Sequence, residues 1–131
     1  MKREMPQPEK LPPVTEQMKA WSWALAAELR NWPQVTQKSF FGFTALYRRR
    51  SMFGLLPRTR NIFKGNAVAF RLERANRSAQ MLLRKDSRIA AFDKDKTRWF
   101  AFQILCDTDL HDALDFLGRA FEAAGNRRKS K

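Results

Sequence analysis

Three adjacent arginines, Arg48, Arg49 and Arg50, are followed at short intervals by Arg58, Arg60 and Lys64. A guanidinium offers a planar fork of donors that matches a phosphate, and it also stacks on flat rings. Phe40, Phe41, Phe43, Tyr47, Phe53 and Phe63 are interleaved with these cations. Cations alternating with aromatics on a sheet are the general means of holding a nucleic-acid strand, with phosphates on the charges and bases on the rings. The six cations are therefore the candidate nucleic-acid-binding residues. The competing use of the rings is the core, because a domain this small needs most of them inside.

Charge distribution sharpens the reading. Residues 29–72 hold those six cations together with Arg30, Lys38 and Arg71, and no Asp or Glu, so the window carries +9. Residues 107–122 hold Asp107, Asp109, Asp112, Asp115 and Glu122 against Arg119, a net −4. The whole chain has 26 Lys and Arg against 13 Asp and Glu, a formal +13. Such a balance favours a polyanionic partner: nucleic acid, an anionic membrane surface or an acidic protein. A solvated basic face is the bland account of the same residues. A polarised molecule can also pair head to tail, so the alternative function is a protein-interaction or homodimerisation domain without nucleic-acid contact.

The inventory for catalysis is thin. His111 is the only histidine and Cys106 the only cysteine. They exclude a multi-histidine metal site, a structural zinc site and an intrachain disulfide. Cys106 with His111 is the only nucleophile–base pair on offer. Five residues spanning a helix start are a poor means of bringing sulfur to imidazole, and a cysteine ending an apolar strand is more often a small buried hydrophobe. Asp107, Asp109, Asp112 and Asp115 crowd one segment, where helix-dipole compensation and a solvated face account for them better than a divalent cation. Glycines at 42, 54, 65, 118 and 125 are scattered and form no phosphate loop. The expectation is a non-enzymatic module without a cofactor.

The positioning elements follow from periodicity. Residues 1–14 read as an irregular arm, since Pro6, Pro8, Pro12 and Pro13 forbid regular helix there. That start has no apolar run and is not expected to be a signal peptide. No stretch reaches membrane-spanning length, and a cytoplasmic address is the expectation. Thr15 is an N-cap for a helix whose buried stripe is Met18, Trp21, Leu25, Leu29 and Trp32, ended by Pro33. Short aromatic and branched runs follow over 35–43, 44–49 and 51–56, with breaks at Gly42 and Arg48–Arg50, then a basic loop over 57–65. Residues 66–72 alternate as a half-buried strand, with Val68, Phe70 and Leu72 on one side. Asn76 caps a short helix to about Lys85, and Ile89–Phe92 is a brief strand. Thr97–Leu105 is the clearest strand: Phe100, Phe102 and Ile104 face one way and Trp99 the other, where it is either core or a contact residue. A last helix starts after Asp107 or Thr108, with Leu110, Ala113, Leu114, Leu117, Phe121 and Ala124 inward and Gly125 as its stop.

This order predicts one α+β domain over residues 15–125, followed by a basic mobile tail over 126–131. It consists of an antiparallel sheet of about five strands with three amphipathic helices packed mainly on one face. The opposite face is expected to be partly open.

The run from Ser39 to Pro57 resembles the opening of the TfoX amino-terminal domain, with Phe40-Phe41-Gly42 at its first hairpin and Met52-Phe53-Gly54 at its second strand. Arg98 to Ile104 and the Ala-rich final helix are similar to the ending shared by TfoX-like and YjbR (MmcQ)-like domains. Trp32-Pro33-Gln34-Val35 resembles the start of a luciferase-associated family of unknown function. Phe43, Arg50 and the 57–65 loop depart from the TfoX pattern. The resemblance implies a compact α+β fold and a link to competence regulation or DNA binding. It brings no catalytic residues with it.

Overall fold

The computed structural model describes residues 13–62, 65–72, 81, 85–91 and 99–129, with the side chains of 126–129 left aside. Helix α1 spans Glu16–Leu29, and strands β1 to β6 span Val35–Phe40, Phe43–Arg48, Ser51–Pro57, Ala67–Arg71, Ile89–Ala91 and Trp99–Gln103. Helix α2 spans Asp109–Lys129. The fold is α+β: a six-stranded antiparallel sheet in the order β1-β2-β3-β4-β6-β5, with these two helices among the described residues.

One of the element expectations needs correction, and two others fall mostly outside the described residues. The sheet has six strands rather than about five, because Ile89–Ala91 pairs with β6 over three residues and closes the far edge. Of the helix expected over Asn76–Lys85, Met81 and Lys85 have helical backbone, and the rest lies outside the described residues. The Pro-rich arm likewise lies outside them except for its last residues, where Pro13 bridges Arg60.

Helix α1 begins as its sequence dictates: the Thr15 hydroxyl accepts the Met18 N–H at 3.0 Å. Met18, Trp21, Leu25 and Leu29 are buried. Both helices lie on the same face of the sheet. The Gln37 amide donates to the Ala26 carbonyl of α1 at 2.9 Å, and Gln37 pairs in register with Leu46. Leu46 in turn pairs with Gly54, where a Cβ would strike Leu117 of α2. The missing side chain at Gly54 is what lets α2 come down onto the sheet centre. Phe53 sits beside a register shift in the β2–β3 pairing and meets Phe121 edge to face at 5.6 Å. Phe70, Phe100, Phe102 and Phe116 complete the aromatic core between sheet and α2.

The second face is less open than the sequence suggests. Ala45, Ala67, Ala69 and Ala101 point that way by register and are all at most 2% exposed. They share the face with Tyr47, Met52, Leu55 and Trp99, each partly buried. Strand β4 is thus buried on both sides, as expected of a central strand with alanine on its outer face. Trp99 is partly buried and engaged with a neighbour.

Helix α2 also runs past its expected stop, continuing to Lys129. Gly125 has no positive φ and is therefore not a left-handed cap. Its role is space: a Cβ there would strike the Arg48 guanidinium. The boundary expected at 125 accordingly falls inside a helix, and residues 126–129 belong to it.

Candidate nucleic-acid interface

The cations of the acid-free span do not converge on one patch. Arg49 and Arg50 form the exposed two-residue turn between β2 and β3, and Arg58 and Arg60 lie beyond the other end of β3. A seven-residue strand separates the groups by about 20 Å. Lys64 and Phe63 lie outside the described residues.

Arg48 is not available to a ligand as the sequence reading expects. It points to the helix face, where its Nε donates to the Gln34 amide oxygen at 3.0 Å and its Nη1 to the Phe121 carbonyl at 3.0 Å. Its guanidinium covers the Phe121 ring at 4.2 Å. This arginine fastens the end of β2 to α2.

At the opposite end, the chain is shaped by Gly42. Phe41 and Gly42 form the β1–β2 turn with φ of 50° and 90°, the pattern of a type I′ turn. The Gly42 carbonyl accepts the N–H groups of Arg58, Thr59 and Arg60 at 3.0, 2.9 and 3.3 Å. The stem of Arg60 packs where a Gly42 side chain would stand. Arg58 Nη1 donates to the Ser39 hydroxyl at 2.7 Å. The basic loop is thus a folded-back corner that holds both arginines at one end of the sheet.

The aromatic half of the expected platform is mostly spent elsewhere. Phe53 is fully buried, while Phe40, Phe43 and Tyr47 are partly buried. Lys38 lies over the Tyr47 ring at 5.4 Å. Of the rings named from sequence and described, Phe41 alone is broadly exposed, at 78%. Trp23 is the exposed aromatic that the sequence reading passes over, at 74%. The signal was there: Trp23 falls off the Met18–Leu29 stripe and stands between Lys19 and Arg30 on the polar side of α1.

Beside Trp23, a groove of about 280 Å³ runs between α1 and strands β1 to β3. Lys19, Arg30 and Arg58 line it, and among the described residues no carboxylate does. Ser22 also lines it, 6% exposed, with a buried hydroxyl that has no hydrogen-bond partner. Leaving such a group unsatisfied costs about 1–3 kcal/mol.

The charges do remain unneutralised. Among the described residues, Arg30, Lys38, Arg49, Arg50, Arg58 and Arg60 form no ion pair, and Lys19 has only the exposed Glu16 at 3.3 Å. Three carboxylates are instead engaged by Arg88, whose Nη2 meets Asp86 at 2.8 Å and Asp112 at 3.2 Å, and whose Nη1 meets Asp109 at 2.7 Å. Arg88 also covers the Phe102 ring at 4.7 Å. The Asp109 carboxylate accepts the Leu105 and Cys106 N–H groups at 2.8 and 3.3 Å. Those backbone donors, joined by Arg88, hold its carboxyl below the usual range against the opposing effect of burial. A side-chain hydrogen bond from Arg88 does the same for Asp86. Asp109 and Asp112 are therefore drawn with Asp86 into a partly buried cluster around Arg88, while Asp107 and Asp115 stay exposed, so the start of α2 presents less negative charge to a basic partner than its sequence suggests.

Cys106 is exposed, contrary to the buried position expected of it. β6 ends at Gln103, and the following residues turn outward so that their N–H groups reach Asp109. The thiol lies 3.1 Å from the Thr108 hydroxyl and makes no hydrogen bond to His111. Among the described residues, no helix is long and apolar enough to cross a membrane, and no group of three or more His, Cys, Asp or Glu gathers to hold a metal. Compared with protein-family models, with curated proteins and with solved structures, the chain matches none.

Proposed function

We propose that this is a non-catalytic domain that binds a polyanion, nucleic acid foremost, through the cations at the Gly42 end of the sheet. The observation that carries the reading is the lack of ion pairs at Arg58 and Arg60 in a span without a single acid. Cations without a carboxylate partner, held on a folded-back corner, are placed to take phosphates with little rearrangement. Arg49 and Arg50 at the far end add attraction at a distance. A regulatory role is what the resemblance to the TfoX amino-terminal domain implies, and it belongs to the same proposal.

The experiment is a salt titration against twelve-nucleotide single and double strands, read by fluorescence anisotropy. About four contacted phosphates on a single strand give a slope of roughly −3 for log K against log salt. Arg58→Glu with Arg60→Glu is expected to abolish binding at low salt. A flat salt response, or full binding by that double variant, overturns the reading.

A further inference from the structure

We propose that the groove between α1 and strands β1 to β3 is a site for one nucleotide unit, its phosphate held by Arg58 with Lys19 or Arg30 and its base on Trp23. This rests on the polyanion reading for its ligand class, but it concerns a different surface from the exposed corner alone. Lys19, Trp23 and Arg30 recur along one flank of α1 at spacings of four and seven residues, so they form a single line. Gln37 ties the strand wall to Ala26, in the middle of that line. Lys19 and Arg30 therefore lie toward opposite ends of the groove, with the ring between them. Across from them, Arg58 is already oriented by Ser39, which occupies one Nη and leaves the remaining donors of the fork for a ligand.

Two observations separate this site from a generic basic surface. The buried Ser22 hydroxyl lacks a partner and belongs to the groove lining. Native proteins rarely leave such a group unsatisfied; its oxygen is covered in the unliganded groove, so a polar ligand bonds it once a wall side chain shifts aside. The second is Trp23, a large ring kept 74% exposed among cations. A base stacked on a tryptophan in a cationic groove is the recurring arrangement for unpaired nucleotides. The volume, about 280 Å³, suits one phosphate-bearing ring and not an extended cofactor. The concavity favours a ligand over a bilayer, because a flat headgroup surface cannot reach the groove floor.

The same chemistry has two sources, a free nucleotide and a unit within a single strand, and the test separates them. Adenosine monophosphate and a labelled twelve-nucleotide deoxythymidine strand are titrated against the full chain and four variants. Trp23→Ala, and separately Arg30→Glu, are expected to weaken binding at least tenfold. Trp23→Phe retains it within about threefold, and Arg119→Ala, at an exposed cation of α2 outside the groove lining, stays within about threefold. Monophosphate binding that is equally sensitive to Trp23 assigns the site to free nucleotides; strand binding alone assigns it to single strands. Trp23 is exposed, so its loss leaves the fold intact, and circular dichroism checks this.

Strand binding that is indifferent to Trp23→Ala and Arg30→Glu overturns the groove while leaving the polyanion reading standing. No binding of strand, duplex or monophosphate by the wild-type chain overturns both. Trp23-dependent binding to vesicles of phosphatidylserine and phosphatidylcholine, with none to the nucleotide probes, also overturns the proposal and makes the groove part of a membrane contact.

Discussion

The guanidinium of Arg48 lies 4.2 Å from the centre of the Phe121 ring and donates to that residue's own carbonyl at 3.0 Å. One turn further along α2, Gly125 leaves open the space the guanidinium fills. In most helix interiors, Gly→Ala adds about 1 kcal/mol of stability. Here the added methyl displaces Arg48, and Gly125→Ala is expected to leave stability unchanged or lower. In an Arg48→Ala background the same change is expected to stabilise by about 1 kcal/mol. Arg48→Ala alone costs about 2 kcal/mol, from the ring contact and the charged hydrogen bond. Urea unfolding of the four proteins gives the coupling directly, and strict additivity would remove Arg48 from that space.

The Arg88 cluster sets an acid limit. The carboxyls of Asp86 and Asp109 titrate below their ordinary range in the folded chain. A depressed folded value contributes stability that is fully present above the unfolded value near pH 4. It is lost as pH falls through the lowered folded values. Arg88→Met leaves Asp109, with its side chain 11% exposed, without its cation. The expected loss is about 2 kcal/mol at pH 7, because Arg88 itself is partly exposed and its pairs are screened. The acid transition should also begin at higher pH than in the wild type. Urea midpoints measured between pH 7 and pH 2.5 test both, and superimposable pH profiles would refute the assignment.

How much of this was legible depends on whether local or long-range contacts decide each feature. The α1 cap, its buried stripe and the start of β4 follow from spacing alone, since neighbours three or four residues apart fix them. The turn at Phe41–Gly42 moves the end of the first strand back by three residues, from 43 to 40, because a type I′ turn consumes Phe41 whatever its strand propensity. Gly125 reads as a stop in sequence, but a residue 77 positions earlier needs its space. Arg48 and Arg88 show the same limit for charge. Both are arginines by composition, yet one packs on Phe121 and the other pairs with three aspartates, one from the loop before β5 and two from α2. Net charge per window identifies where cations are in the chain and not which of them are spent inside the fold.

A single hydrogen bond joins the two helical ends of the molecule. Trp21, 4% exposed, donates its indole N–H to the Asp107 carboxylate at 2.7 Å, across 86 positions of sequence. Trp21→Phe removes the donor and keeps most of the ring, with an expected cost of about 2 kcal/mol for a charge-assisted bond. Asp107→Asn retains an acceptor and should cost less than half of that. Thermal melts of both variants rank them, and a loss in Trp21→Phe with none on removing the acceptor in Asp107→Ala would show that ring volume rather than the bond matters.

The Phe41–Gly42 turn offers a test in which stability and binding part company. Phe41 has φ of 50° and is 78% exposed, a poor use of a bulky ring in a conformation that asparagine tolerates better. Among the described residues its ring neighbour is Phe40, edge to face at 4.8 Å. Asn-Gly is the preferred type I′ pair, so Phe41→Asn is expected to stabilise the chain by about 0.5 kcal/mol even after losing that contact. Gly42→Ala goes the other way by about 2 kcal/mol, because φ is 90° and the new Cβ falls 2.7 Å from Arg60 Cγ. If the exposed ring stands beside Arg58 and Arg60 to meet a ligand, Phe41→Asn should weaken binding of single strands several-fold while raising the melting temperature. A rise in stability with unchanged affinity would assign Phe41 to the turn alone and take it out of the interface.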